Sequence, residues 1–252
     1  MTRPPFLFVH GWAGTPRLWD AVRVALSARG VEAGKMFVSS LPLPSPDGLG
    51  SLPLPQAGEG RTFLPSPTKV GEGGAHRDSD GRVREPRPEP NPRPLIAIGH
   101  SLGAAWLLAH GPALSGFVAI NGFTRFTSVP DFPAGTHPRI LMQMRRRLLA
   151  DPSAVLADFH ARAGLPLPDH LPDTDALAAG LDLLGSIDAR AAFAALSVPH
   201  IALCGGDDLI VPPEQSRGSF PDPVMVPGAG HALPVTHPDL CADHILSLAA
   251  RC

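Results

Sequence analysis

Short apolar runs punctuated by Gly and Pro recur along the chain: Phe6–Val9, Met36–Val38, Leu95–Ile98, Phe117–Ile120, Ile201–Cys204 and Val224–Val226. Runs this continuous predict strands buried on both faces, as in a parallel sheet. Helical periodicity lies between several of them. Thr15-Pro16 sets a cap residue before a proline at the first helical position, Leu18, Val22 and Leu26 follow at spacing four, and Gly30 stops the helix. A last helix from about Pro238 carries Leu240, Cys241, Ile245 and Leu248 on one face. Alternation of strand and helix predicts an α/β fold, a mostly parallel, doubly wound sheet with helices on both faces.

Two stretches break the alternation. Residues 123–186 hold helix-like segments and no strand-like run. Asp151-Pro152 caps a helix with Val155, Leu156 and Phe159 on one face, and Leu177, Leu181 and Leu184 mark another. This predicts a helical cap set into a core made of residues 1–122 and 187–252. Residues 41–94 hold twelve prolines and eight glycines in 54 positions, with few large apolar side chains. Such a composition buries too little surface to offset its chain entropy, so a disordered insertion is expected there.

The bulk composition narrows the function. A chain of 252 residues accommodates one large α/β domain or two small ones, and a net charge of -2 gives no general footprint for nucleic acid. No signal-peptide core follows Met1, and no apolar stretch is long enough to span a bilayer. Cys204, Cys241 and Cys252 are odd in number and lack metal-ligand spacing, so free thiols in a reducing cytoplasm are expected, with no metal or other cofactor. A monomer that binds neither membrane nor nucleic acid is the expectation.

The chemistry concentrates at Gly99-His100-Ser101-Leu102-Gly103, which follows an apolar strand and opens onto the helix-like Ala104-Ala105-Trp106-Leu107. Strand, sharp turn and helix are the context of a nucleophile elbow, which would hold Ser101 Oγ at the carboxyl end of the sheet. The Leu102 amide, at a helix N-terminus, would then face a developing oxyanion. A serine nucleophile needs a base, and the base an orienting acid. Gly205-Gly206-Asp207-Asp208 follows the fifth apolar run, and Gly228-Ala229-Gly230-His231 follows the sixth. Both segments would leave the sheet on the edge that carries Ser101. His231 is the expected base. Asp208, four residues before Pro212, is the preferred acid, and Asp207 is the alternative. His10-Gly11-Trp12 closes the first strand, and a loop there would supply a second oxyanion N–H from Trp12.

These motifs identify the chain as resembling α/β-hydrolase esterases of biotin synthesis. Phe8-Val9-His10-Gly11-Trp12, the elbow and the histidine motif carry the superfamily likeness. The stretch Gly180-Leu181-Asp182-Leu183-Leu184 to Ser186-Ile187-Asp188-Ala189-Arg190 points to the biotin esterases. His100 stands where those enzymes often have tryptophan. The resemblance spans nearly everything outside residues 41–94 and implies the α/β-hydrolase fold with a helical cap insertion. It further implies hydrolysis of the methyl ester of pimeloyl attached to acyl carrier protein. Ser101, His231 and Asp208 would form the triad, and the acyl chain would lie between cap and sheet near Phe159 and Phe123. Docking of the acidic carrier would want basic residues on the cap, and Arg145 and Arg147 are candidates. Two other readings stay open: a broad small-ester hydrolase, and a non-catalytic binding protein whose pocket the insertion has spoiled.

Overall fold

Side chains of β1 (Phe6–Val9) alternate between two apolar clusters, one on each face of a six-stranded sheet. The structure, a computed structural model, describes residues 4–41 and 94–252. The insertion expected at 41–94 lies, apart from Leu41 and Pro94, outside the described residues.

The strands are β1, β2 (Met36–Ser39), β3 (Leu95–His100), β4 (Leu114–Ile120), β5 (His200–Gly205) and β6 (Val224–Val226). Their order is β2-β1-β3-β4-β5-β6, and every pairing is parallel. All six expected strands are present, and β1 and β3 are buried along their whole length. Phe6, Phe8, Ile96, Ile98, Val118, Ile120 and Leu203 face one way. Leu7, Val9, Ala97, Phe117, Ala119 and Ala202 face the other. This is the two-residue period of a pleated strand, with both faces needing cover.

The first face is covered by α1 (Asp20–Ala28), α8 (Leu233–Thr236) and α9 (Pro238–Ala249). Fully buried Trp19 packs on Phe8, with ring centroids 5.1 Å apart. Arg29 ties α1 to α9 through Asp239 and Asp243. The helix expected to start at Thr15-Pro16 begins as a tight 3-10 turn, Pro16–Trp19, and becomes α1 only at Asp20. Thr15 is extended and makes no side-chain cap bond. The tightened turn instead satisfies its own donors, Leu18 N–H reaching Thr15 O at 3.1 Å. Gly30 ends the segment at φ +85°, the left-handed conformation that glycine tolerates.

The second face is covered by α2 (Leu102–His110) and by the helices between β4 and β5: α3 (Pro138–Ala150), α4 (Pro152–Ala163), α5 (Thr174–Ser186) and short α6 (Arg190–Ala194). Asp151 and Asp173 cap α4 and α5 by accepting the N–H groups of Ala154 and Ala176. Leu148, Val155, Leu156, Leu177, Leu181 and Leu184 join one continuous cluster with the sheet. The chain enters and leaves this helical insert at a stitched neck. Ala189 N–H donates to Thr124 O, Arg125 pairs with Asp188 at 2.7 Å, and Arg190 grips Asp188 and Asp131. Fully buried Gln215 of α7 (Pro213–Ser219) donates to the carbonyls of Arg125 and Phe126. Hydrogen bonds from the Arg190 guanidinium oppose the modest burial of the Asp188 carboxyl and, with Arg125, hold it well below the usual carboxylate range.

The three cysteines are free; Cys204 and Cys241 are buried, which pushes their thiols up to about 11 and about 12. Among the described residues no helix is long and apolar enough to cross a membrane.

The register of α3 makes a sharp test. Leu148 has 0% exposure and its neighbour Leu149 54%. Leu148→Ala should destabilise the protein by about 2–5 kcal/mol in urea titration, and Leu149→Ala by less than about 0.5 kcal/mol.

Candidate active site

Because every strand runs the same way, the loops after β1, β3, β4, β5 and β6 leave on one edge. The strand order turns back between β1 and β3, and such a switch point opens a crevice where two loops diverge. Ser101 stands at that point, after β3 and before α2. Its φ of 54° and ψ of −126° are a strained combination for a residue with a side chain, typical of a nucleophile elbow. The strain is held by neighbours: Ser101 N–H donates to Ile120 O at 3.1 Å, and Ala104 N–H returns to Ser101 O. A β-carbon on Gly103 would stand 2.4 Å from Val9 O, so only glycine lets α2 start this close to β1. Gly11 approaches the serine as closely, since a β-carbon there would meet Ser101 Cβ at 2.8 Å.

The loops after β5 and β6 meet through side chains. His231 Nδ1–H donates to Asp208 Oδ2 at 2.8 Å, and both residues are buried. Asp208 Oδ1 accepts the N–H groups of Ile210 and Val211 at 2.8 and 2.9 Å. Burial works against a charged Asp208, but His231 and those two N–H groups outweigh it and keep the carboxyl below its ordinary range. Asp207 is exposed, so the alternative acid makes no comparable contact. His231 Nε2 is buried and, among the described residues, has no hydrogen-bond partner, Ser101 Oγ included. The elbow is nonetheless at hand, because the His100 ring, one residue before Ser101, lies 4.7 Å from the His231 ring.

Among the described residues, no backbone hydrogen bond engages the N–H of Trp12 or of Leu102. The Trp12 side chain faces the helical insert: Nε1–H donates to Leu177 O at 2.8 Å, and the Phe159 ring meets the indole edge-on at 4.8 Å. Phe159 thus stands beside the loop that borders Ser101. Phe123 does not share that position. It has 0% exposure and packs on Phe126 at 5.0 Å. Arg147 is exposed on α3, whereas Arg145 is half-buried with Nε 2.8 Å from Asp182 of α5, an approach off the line of a hydrogen bond.

A family model described as the alpha/beta hydrolase family matches residues 6–244. The chain belongs to this family. Curated relatives agree with the biotin-esterase likeness read from the sequence. The pimeloyl-[acyl-carrier protein] methyl ester esterase of Pectobacterium atrosepticum is 26% identical over 96% of this chain and 93% of its own length. The biotin biosynthesis bifunctional protein BioHC of Cellvibrio japonicus is 28% identical over 94% of this chain and 46% of its own length. Among solved structures, a thermophilic esterase from Thermogutta terrifontis superposes with a TM-score of 0.59 at 20% identity, covering 98% of this chain and 89% of the other. That likeness is one of fold.

This alpha/beta hydrolase holds two polar side chains at its site that the sequence reading passed over. Asn121, fully buried directly after β4, donates from Nδ2 to Asp208 Oδ2 at 2.9 Å and to Gly230 O at 3.2 Å. Its φ of 48° is a conformation that asparagine tolerates better than most residues. An Asn-Gly pair closing a strand run was the available signal. His100, at the position where the biotin esterases often have tryptophan, donates from Nε2 to His231 O at 2.9 Å.

Burial holds His10 below its ordinary range and, with His231 beside it, His100 down to about 3. Both rings therefore stay neutral in the folded state at a pH where the unfolded chain binds protons. The unfolded state takes up more protons below about pH 6.5, so stability must fall as pH drops through that value. Each ring contributes at most about 1.4 kcal/mol per pH unit. Urea unfolding at pH 5.5 should give a stability about 1–3 kcal/mol below that at pH 7.5. A flat profile would mean that both rings bind protons in the fold as readily as in the unfolded chain.

Proposed function

We propose that this alpha/beta-hydrolase esterase cleaves the methyl ester of pimeloyl-[acyl-carrier protein], with Ser101 as nucleophile, His231 as base and Asp208 as the orienting acid. The observation that supports the chemistry is the buried Asp208–His231 pair, whose Nε2 has no partner among the described residues and whose ring lies 4.7 Å from that of His100, the residue before a strained serine. The substrate assignment rests on the curated relatives, whose names specify that ester.

Asp208 fixes the proton of His231 on Nδ1, which makes Nε2 the acceptor. Ser101 Oγ–H gives its proton to Nε2 as Oγ attacks the ester carbonyl. The carbonyl oxygen gains charge as the tetrahedral centre forms, and the N–H groups of Trp12 and Leu102 are the donors for it. Collapse breaks the bond to the methoxy oxygen, and His231 returns the proton so that methanol leaves. Water, deprotonated by His231, then attacks the acyl-enzyme, and collapse frees the pimeloyl carboxylate and restores Ser101. The carrier is acidic in this reading, and exposed Arg147, with Arg139 and Arg146 on the same helix, offers it positive charge. Arg145 contributes less, being held near Asp182.

Rescue of a biotin-requiring strain lacking this activity tests the substrate directly; failure of a soluble, expressed protein to rescue overturns it. Ser101→Ala should abolish ester turnover and leave the unfolding midpoint within the usual surface range. Asp208→Asn should lower kcat by about 10⁴ through loss of the histidine's orientation, with Asp207→Asn near wild type. Equal losses at the two aspartates would reassign the acid.

Docking is tested separately. Arg147→Glu should raise KM for the carrier-bound ester and leave a free methyl ester unaffected, and added salt should mimic it. An unchanged KM on the carrier substrate removes Arg147 from the docking surface.

A further inference from the structure

His100 closes β3 with its side chain 3% exposed, and it makes the polar contact nearest to the base other than that of Asp208. A carbonyl oxygen only accepts, so the 2.9 Å contact with His231 O requires the proton on Nε2. Nδ1 is then a bare acceptor, and it is buried with no partner among the described residues. An apolar side chain would avoid the orphaned Nδ1 but would leave His231 O without its donor, so the imidazole is explained by the bond that it gives and not by packing. Its ring lies 4.7 Å from the His231 ring on one side and edge-on to Trp19 at 6.4 Å on the other. It is wedged between the base and the first-face core.

The loop that carries His231 has little stiffness of its own. Gly228-Ala229-Gly230 precede the histidine, and Gly228 lies at φ +72°. Besides the Asp207 N–H that donates to Ala229 O at 2.9 Å, what fixes it is a set of side-chain hydrogen bonds from neighbouring strand ends. Asn121, after β4, takes the carbonyl of Gly230, and His100, ending β3, takes the carbonyl of His231. Asp208, after β5, takes the ring.

We propose that His100 is a positioning residue that ties the base to the nucleophile: its main chain leads directly into Ser101, and its Nε2–H and ring fix the main chain and ring of His231. One residue thereby sets the separation between two groups that sit 130 positions apart in the chain. The reading depends on His231 being the base. The neighbouring ionisable groups support a neutral ring in this role. Burial, His231 and His10 all disfavour charge on His100, and only Asp208 and its hydrogen bond to His231 O favour it. A neutral ring neither repels the imidazolium formed in turnover nor competes with it for the serine proton.

Two variants separate the donor from the ring. His100→Phe keeps an aromatic ring and removes the N–H; His100→Gln removes the ring and presents an N–H at the position of Nε2. On a short p-nitrophenyl ester, His100→Phe should lower kcat about 10- to 100-fold with KM within about threefold, the size expected when a reacting pair is misplaced by about an ångström. Labelling of Ser101 by an uncharged fluorophosphonate should slow by a similar factor. His100→Gln should recover most of both rates. A His100→Phe enzyme within threefold of wild type, a loss seen in KM alone, or equal losses in both variants would overturn the proposal. If His100→Phe does not fold, His100→Met takes its place as the variant without a donor, read against His100→Gln by the same criteria. His231→Ala, run alongside, should lose nearly all turnover. Retention of activity there would remove His231 as base and the proposal with it, whereas loss there with an unaffected His100→Phe would defeat the proposal alone.

Discussion

The parallel register of β1 on β3 is the constraint from which the site follows. Val9 pairs with Gly99, which brings the end of one strand level with the start of the elbow in the other. From that point β1 hands the chain to Gly11 and Trp12, and β3 hands it to Ser101. A shift of one residue would turn every side chain of β1 to the opposite face and exchange the Phe6/Phe8 and Leu7/Val9 sets between two different cores. Burial on both faces thus specifies the register, and the register specifies how near Gly11 comes to the serine. The geometry around Ser101 is inherited from packing several residues away.

The second organising element is the neck of the helical insert. Arg125, Asp188 and Arg190 form a network at its base, and Gln215 spans from α7 to the carbonyls that begin the insert. Exposed ion pairs are worth little singly, but here the pairs close a two-chain stitch that also includes the Ala189–Thr124 backbone bond. The segment Ser186–Arg190, which carried part of the likeness to biotin esterases, is the return half of that stitch. Its acid and base residues hold the insert at the right place on the sheet.

Much of this was legible in the chain. The six strands follow from continuous apolar runs, because full burial leaves a local record in composition. The Asp151-Pro152 cap reads directly, since donor and acceptor are three residues apart. Ser101, Asp208 and His231 could be nominated from loop chemistry alone, since a parallel sheet sends all such loops to one edge. The contacts of Asn121 and His100 could not. They join positions 87, 109 and 131 apart, and nothing around either residue records a partner so distant. The start of the first helix differed for a subtler reason: Thr15 and Pro16 satisfy the cap pattern, yet a 3-10 turn can meet the same backbone needs.

Trp12 belongs to two structures at once. Its peptide follows the glycine that borders the serine, while its indole is bonded to α5 through Leu177 and braced by Phe159 of α4. Only two torsions separate the indole from its own backbone. Any displacement of α5 away from the sheet therefore loads this loop before it strains a strand. The molecule has a mechanical linkage between the position of its insert and the alignment of a backbone donor, built from one side chain.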